Sequence, residues 1–376
     1  MKIFIITPVF PNSINNRSGS FVLEQAEILM NMGHEVIVLD AGEYSYKHWL
    51  DKSLYNAHFY TIDKINVIAL HTHGLMRTRL SRLYINLYSK KLKYIFNLAI
   101  KKYGNPDVIY AHFTFPSGFA ACVLGNKFNI PVVVLEHGTL FLNKINNHIT
   151  SLLIYTLKNS YKYFAVSPEL VESLNKKSDN IGDIKILNNV INNSYSYYPR
   201  VKKENFVFFS AGNFYSHKGF VELINAFKIA FKDQQTIKLR IAGNGPELEN
   251  IKKAINNDSR IELIGVLNRE EMIDEYNNCD AFALASKLET FGMVYREALA
   301  IGRPVISYDN VGIKYLWSDK YGYIAKSENE LVECFETMYK NIDKFDNKFI
   351  SKNILNDFGE SNFINKWLEI QNNLRK

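Results

Sequence analysis

Cysteine is scarce: Cys122, Cys279 and Cys334 are the only three in a chain of 376 residues, odd in number and far apart. No CxxC or Cys/His spacing suits zinc. Neither a disulfide framework nor a structural zinc site is therefore expected, and a reducing cytoplasm is the natural setting. Long apolar runs are equally lacking. The first, residues 3–6, is cut off by Thr7-Pro8, too short for a signal-peptide core, and no run of about 18 apolar residues exists to cross a bilayer. No Asp-x-Asp pair suggests a bound divalent metal, and no short repeat or low-complexity tract stands out. What remains, 47% hydrophobic and 22% charged residues, describes a packed globular protein long enough for two domains of roughly 150–200 residues.

Negative charge is missing from one place. Residues 64–106 contain no Asp or Glu but nine bases, among them Arg77, Arg79, Arg82, Lys90, Lys91 and Lys93, and without those nine the net charge of +7 becomes −2. The excess marks one surface rather than a generally basic protein. From 77 to 102 the segment reads as an amphipathic helix, with Leu80, Leu83, Tyr84, Leu87, Tyr94, Ile95 and Leu98 near one stripe. Basic amphipathic helices bind anionic membranes by charge and shallow burial. Segment 77–102 is thus expected to dock the protein peripherally on the inner face of the cell membrane. Nucleic acid fits the charge but has no motif behind it and is not expected as a partner.

Short β-rich runs alternate with helical patterns along nearly the whole chain. Strands are expected at 2–7, 35–40, 108–112, 131–136, 163–167 and 184–188, then at 206–211, 237–242, 261–264, 281–284 and 304–307. Most are continuous apolar runs, the pattern of strands buried on both faces in a parallel sheet. Helices are expected between them at 21–32, 220–231, 246–255, 269–278 and 293–300. Repeated strand–helix–strand alternation argues for doubly wound α/β sheets. The polar, aromatic run 192–199 has no periodicity and marks a break between two such domains.

Four phrases then occur in order. They are Gly212-Asn213-Phe214-Tyr215-Ser216-His217-Lys218-Gly219, Ala242-Gly243-Asn244-Gly245-Pro246, Glu289-Thr290-Phe291-Gly292 through Arg296-Glu297-Ala298, and Gly302-Arg303-Pro304-Val305-Ile306. Together they resemble glycosyltransferase family 4. The likeness is strong over 206–310 and weak over the rest.

The resemblance implies an α/β protein of GT-B architecture, two Rossmann-like doubly wound parallel-sheet domains facing a central cleft. An acceptor-binding domain falls at 1–195 and a donor-binding domain at 200–355, with a C-terminal helix at about 357–376 packing back on the first. The implied activity is retaining transfer of a sugar from a nucleotide diphosphate sugar, a UDP-sugar by preference, to a glycan or lipid-linked glycan during cell-surface polysaccharide synthesis. No cofactor and no metal are expected.

Residue roles follow the same likeness. Glu289 and Glu297 form the family's E-x7-E pair. A loop carboxylate at 289 can reach hexose hydroxyls, while a helix carboxylate at 297 can grip ribose hydroxyls. Thr290, Phe291, Gly292 and Met293 lie between them, the last three placing backbone N–H groups at a helix N-terminus, a ready diphosphate site. Lys218 is the family's diphosphate-neutralising lysine, offsetting charge on the leaving group. Gly212 precedes Asn213, where the family usually has Arg, so half of the expected cationic clamp is missing. Gly243, Asn244 and Gly245 line the donor pocket in the family, and Leu267 frames the nucleobase. On the acceptor side His137 matches the family histidine that faces the donor sugar, with His112 similarly placed. Gly19 is what remains of a paired-glycine loop that meets the diphosphate. Two rivals fit the same motifs: a GT-B nucleotide-sugar epimerase, and a donor-binding pseudoenzyme made credible by Asn213 and the thinned glycine loop.

Overall fold

The computed structural model describes residues 1–12, 19–44, 56–73 and 81–374. The chain divides into two compact units, Met1–Val190 with Phe363–Lys376, and Ile191–Asn362.

Among its described residues the first unit holds ten strands: β1 Lys2–Thr7, β2 Glu35–Asp40, β3 Glu43–Tyr44, β4 His58–Ile62, β5 Ile65–Ala69, β6 Thr72–His73, β7 Val108–His112, β8 Val132–Glu136, β9 Lys162–Ala165 and β10 Ile184–Ile186. Eight of them make one sheet in the order β10-β9-β8-β7-β1-β2-β5-β4, while β3 and β6 pair separately. The sheet is parallel except for β4, antiparallel to β5 at its edge. β7 and β8 are buried at every position, as their unbroken apolar runs require.

The second unit holds β11 Phe206–Ala211, β12 Ile237–Ala242, β13 Ile261–Gly265, β14 Ala281–Leu284, β15 Val305–Tyr308 and β16 Gly322–Ala325. They form an all-parallel sheet in the order β13-β12-β11-β14-β15-β16. This is doubly wound topology, and the strand order reverses between β11 and β14. In the first sheet it reverses between β1 and β7. Ligands of such sheets sit beyond the carboxyl ends of the strands at the reversal.

Helix starts divide along the same line. Most helices in the body of the fold open on a polar cap: the side chains of Asn146, Ser167, Asn268, Asn310, Ser327 and Asp346 each accept a backbone N–H of the first turn. The helices after β1, β11 and β14 open instead on Gly19, Gly219 and Gly292, each in the left-handed region and with no side-chain cap. Their first N–H groups are left for another acceptor.

Most expected strands agree with the structure to within two residues. Five strands, the two-residue β3 and β6 together with β4, β5 and β16, have no counterpart among the expected ones. β4 lies at an edge with alternate residues exposed, β5 lies inside the basic stretch, and β16 is only four residues long.

Candidate active site

In the second unit, two loops leave the sheet on either side of the reversal and are stitched together. The N–H of Lys287 donates to the carbonyl of His217 at 2.8 Å. Gly219 sits so close to β14 that a Cβ there would lie 2.1 Å from the carbonyl oxygen of Ala285, and its φ of 68° is left-handed. Only glycine fits. The result puts Lys218, at the end of the turn Ser216–Lys218, beside Glu289, with Nζ 2.6 Å from Oε1. Both side chains are largely buried.

After Glu289 the chain passes Thr290 and Phe291 to Gly292, in the left-handed region at φ 73°, and enters the helix Met293–Ile301. Phe291 is not a ligand-facing side chain. Its ring is buried under the guanidinium of Arg296, 3.7 Å from the centroid, which leaves its backbone to serve the loop. Arg296 also donates to the carbonyl of Gly312 at 3.1 Å. These contacts fix the loop from behind.

Glu297 lies inside that helix, where the Tyr276 hydroxyl donates to its Oε2 at 2.9 Å. Burial pushes its carboxyl up to about 7, against the smaller downward pull of Tyr276 and the Arg269 charge. The turn Gly243-Asn244-Gly245 is sewn to the loop after β11. Phe214 donates to the Asn244 carbonyl and Gly212 to the Ala242 carbonyl, at 2.9 and 3.1 Å. Leu267 is half-buried just before the capping box in which Asn268 and Glu271 bond each other's backbone N–H. Asn213 is exposed.

Arg303 does not replace the missing family arginine. Its fully buried guanidinium donates to the carbonyls of Tyr276, Tyr198 and Asn277, at 2.8 to 3.0 Å, and ties the run 192–199 into the second unit. His217 is exposed and held below its usual pKa by partial burial and by Lys218, so it adds no charge at neutral pH.

In the first unit His112 ends β7 and His137 follows β8. The two rings stack, interplanar angle 18°, with Nδ1 of His112 2.8 Å from Nε2 of His137. Phe21 and Phe113 pack on His137 at 4.7 and 5.1 Å. Burial holds His137 down at about 3, and burial followed by the neighbouring ring holds His112 well below its ordinary value, so both are neutral imidazoles.

Sequence reasoning missed what holds this pair. Glu136 is buried, and its two oxygens accept the N–H groups of Thr114 and Gly138, each at 2.6 Å. One carboxylate thus clamps the loops after β7 and β8. Next to it Phe113 takes φ 67°, a strained choice for an aromatic residue. Also unforeseen is the buried pair of His71 and Asp40, 2.6 Å apart beyond the carboxyl ends of β5 and β2. A polar residue closing an apolar strand was the available signal in both cases.

Gly19 starts the helix Ser20–Asn31 in the left-handed region and packs on the Val9 carbonyl. Arg17 and Ser18 of the same loop lie outside the described residues. So do Arg77, Arg79 and Leu80 of the basic segment.

From Ser81 to Tyr103 that segment is a helix, but the expected apolar stripe is corrected. Tyr84, Tyr88, Leu92, Ile95 and Ala99 face the core, whereas Leu83, Leu87 and Tyr94 are 57, 49 and 54% exposed. The expected stripe merges two that lie about 100° apart on the helix. Among the described residues no group of three or more metal-ligating side chains converges, and no helix is long and apolar enough to cross a membrane.

Comparison with known proteins gives one consistent answer. The family model for Glycosyltransferase Family 4 matches residues 18–194, and that for Glycosyl transferases group 1 matches residues 198–354. An uncharacterized glycosyltransferase of Methanocaldococcus jannaschii is 28% identical over 269 residues, 65% of this chain and 71% of that one. The alpha-monoglucosyldiacylglycerol synthase of Streptococcus pneumoniae is 33% identical over 118 residues, 30% of this chain and 27% of that one. Among solved structures, sucrose-phosphate synthase from Thermosynechococcus elongatus aligns over 99% of this chain and 98% of its own, with TM-score 0.79 and 17% identity. Anabaena HepE in complex with UDP and glucose aligns over 99 and 100%, with TM-score 0.73 and 16% identity. At such identities the structural likeness establishes the fold alone.

Proposed function

Since the chain belongs to glycosyltransferase family 4 and has the GT-B fold, we propose that it transfers a hexose, with retention of anomeric configuration, from a UDP-sugar to a glycan or lipid-linked glycan. The observation that carries this reading is the convergence of Lys218, Glu289 and the uncapped helix Met293–Ile301 beyond the strand reversal. A cation and a row of N–H groups suit a diphosphate. A carboxylate beside them suits sugar hydroxyls.

Lys218 is paired with Glu289 in the protein by itself. A diphosphate offers the lysine a second anion, and the carboxylate can then accept from a hexose hydroxyl. The acceptor oxygen bonds to the anomeric carbon on the face from which the phosphate leaves. The carbon–phosphate oxygen bond breaks, and the acceptor's proton passes to the departing phosphate. Lys218 and the helix N-terminus stabilise the leaving charge, the part a metal plays elsewhere. Glu297 holds the ribose, and the neutral His137, fixed by His112 and Glu136, hydrogen-bonds a sugar hydroxyl. Gly212, Asn213, the Gly243–Gly245 turn and Leu267 line the nucleotide, and Gly19 opens an anion contact in the first unit.

The relative in S. pneumoniae supports a lipid acceptor, and the exposed stripe of the helix Ser81–Tyr103 supports a peripheral seat on an anionic membrane. The test is direct. Lys218→Ala and Glu289→Ala each reduce kcat by about 10²–10³-fold in protein that remains folded at the assay temperature. Full turnover in either variant refutes the assignment. Incubating the protein with donor alone separates the rivals: a new sugar isomer indicates an epimerase, slow hydrolysis a transferase.

A further inference from the structure

A groove of about 560 Å³ opens between the helices Phe220–Ala230 and Leu248–Ile255, with Tyr215 and Ser216 of the loop that carries Lys218 at its edge. Its base is apolar, with Ile251 and Phe220 buried. Its rim is not. Tyr215, 49% exposed, stands on this rim, its ring stacked on that of His217 at an interplanar angle of 8° and 5.8 Å between centroids. Around it stand the carboxamides of Asn225 and Asn250 and the carboxylates of Glu222 and Glu247.

We propose that this groove binds a run of neutral oligosaccharide, the non-reacting portion of the acceptor glycan. Three features select that ligand class. An aromatic face accepts the C–H face of a pyranose. Carboxamides both donate and accept, matching hydroxyls that do the same, and carboxylates accept from vicinal pairs. The local charge is close to balanced: Lys287 neutralises Glu222 at 2.7 Å, and Lys253 stands with Glu247 on the rim. A phosphorylated ligand gains little here, in contrast to the Lys218 site. Geometry joins the two places, because Lys218 donates its N–H to the carbonyl of Tyr215 at 2.9 Å within one turn. A glycan held on Tyr215 is therefore tethered beside the donor loop. Only the word acceptor rests on the transfer reaction proposed above.

The test is native-gel affinity electrophoresis through dextran, galactomannan and a mixed-linkage β-glucan, paired with thermal shifts in UDP-sugars. At least one polysaccharide retards the wild-type chain. Tyr215→Ala and Asn250→Ala each weaken the retardation about fivefold while donor-induced shifts are unchanged. Asn250 is an exposed helix residue, so its variant keeps the test open if Tyr215→Ala fails to fold. No retardation by any of the three, or equal retardation of both variants, overturns the proposal. Retardation without a donor shift sinks the transferase reading and leaves the groove intact, and a donor shift without retardation does the reverse.

Discussion

At the scale of single residues, Glu297 carries the clearest pH signature. Its folded pKa of about 7 lies above the ordinary carboxyl value of 4.5. Between those two values the folded chain holds a proton that the unfolded chain has lost, so this group makes stability fall as pH rises through that window. Binding has the opposite sign, because the ionised carboxylate is the better acceptor of ribose hydroxyls. Donor affinity should therefore rise as pH passes through 7, by titration calorimetry at pH 6 and 8. Glu297→Gln should bind weakly at both values and lose the dependence, while gaining urea resistance relative to wild type at pH 8. A pH-independent wild-type affinity would exclude the role. Most of the candidate donor residues were legible in the sequence because their spacing is fixed along one loop and one helix. Glu136 and Asp40 were not, since Thr114 and His71 reach them from beyond the ends of other strands.

Among the elements, the helix Ser81–Tyr103 makes the sharpest claim. Leu83, Leu87, Lys90, Tyr94 and Lys101 recur at spacings of four, three, four and seven, which places them on one solvent-facing stripe. Such a stripe should partition onto vesicles containing anionic lipid and stay free of neutral ones. Lys90→Gln and Lys101→Gln should each lower binding about fivefold, from about 1 kcal/mol per basic residue near a charged surface. Equal flotation with neutral vesicles would argue against it. Periodicity in the sequence announces the helix but not which of its two apolar stripes meets the core. That depends on the sheet beneath. Strands buried on both faces announced themselves by unbroken apolar runs, and the edge strand β4 did not.

At the level of the whole molecule, the chain returns at its end to the unit where it began. Phe363–Lys376 belongs with the first unit. Trp367 is 1% exposed, 5.0 Å from the ring of Tyr110 on β7, and stacked on Phe363. Trp367→Ala should cost about 3–5 kcal/mol. Hydrogen exchange should then accelerate in peptides spanning β1, β7 and β8 and hold steady in those spanning β11 and β14. Uniform acceleration in both sets would contradict the division into units.

The amino-acid order alone settled what local forces control: alternating strands and helices, left-handed glycines where loops must touch, and the spacing of Lys218, Glu289 and Glu297 along continuous stretches. Tertiary packing decided which side chains those stretches meet. Arg303 became a buried anchor rather than a second phosphate cation, Glu136 a clamp, and half of one helix's apolar face an exposed stripe. Pairings across many tens of residues leave no periodic trace, because they are selected by the fit of surfaces that exist only once the sheets have formed.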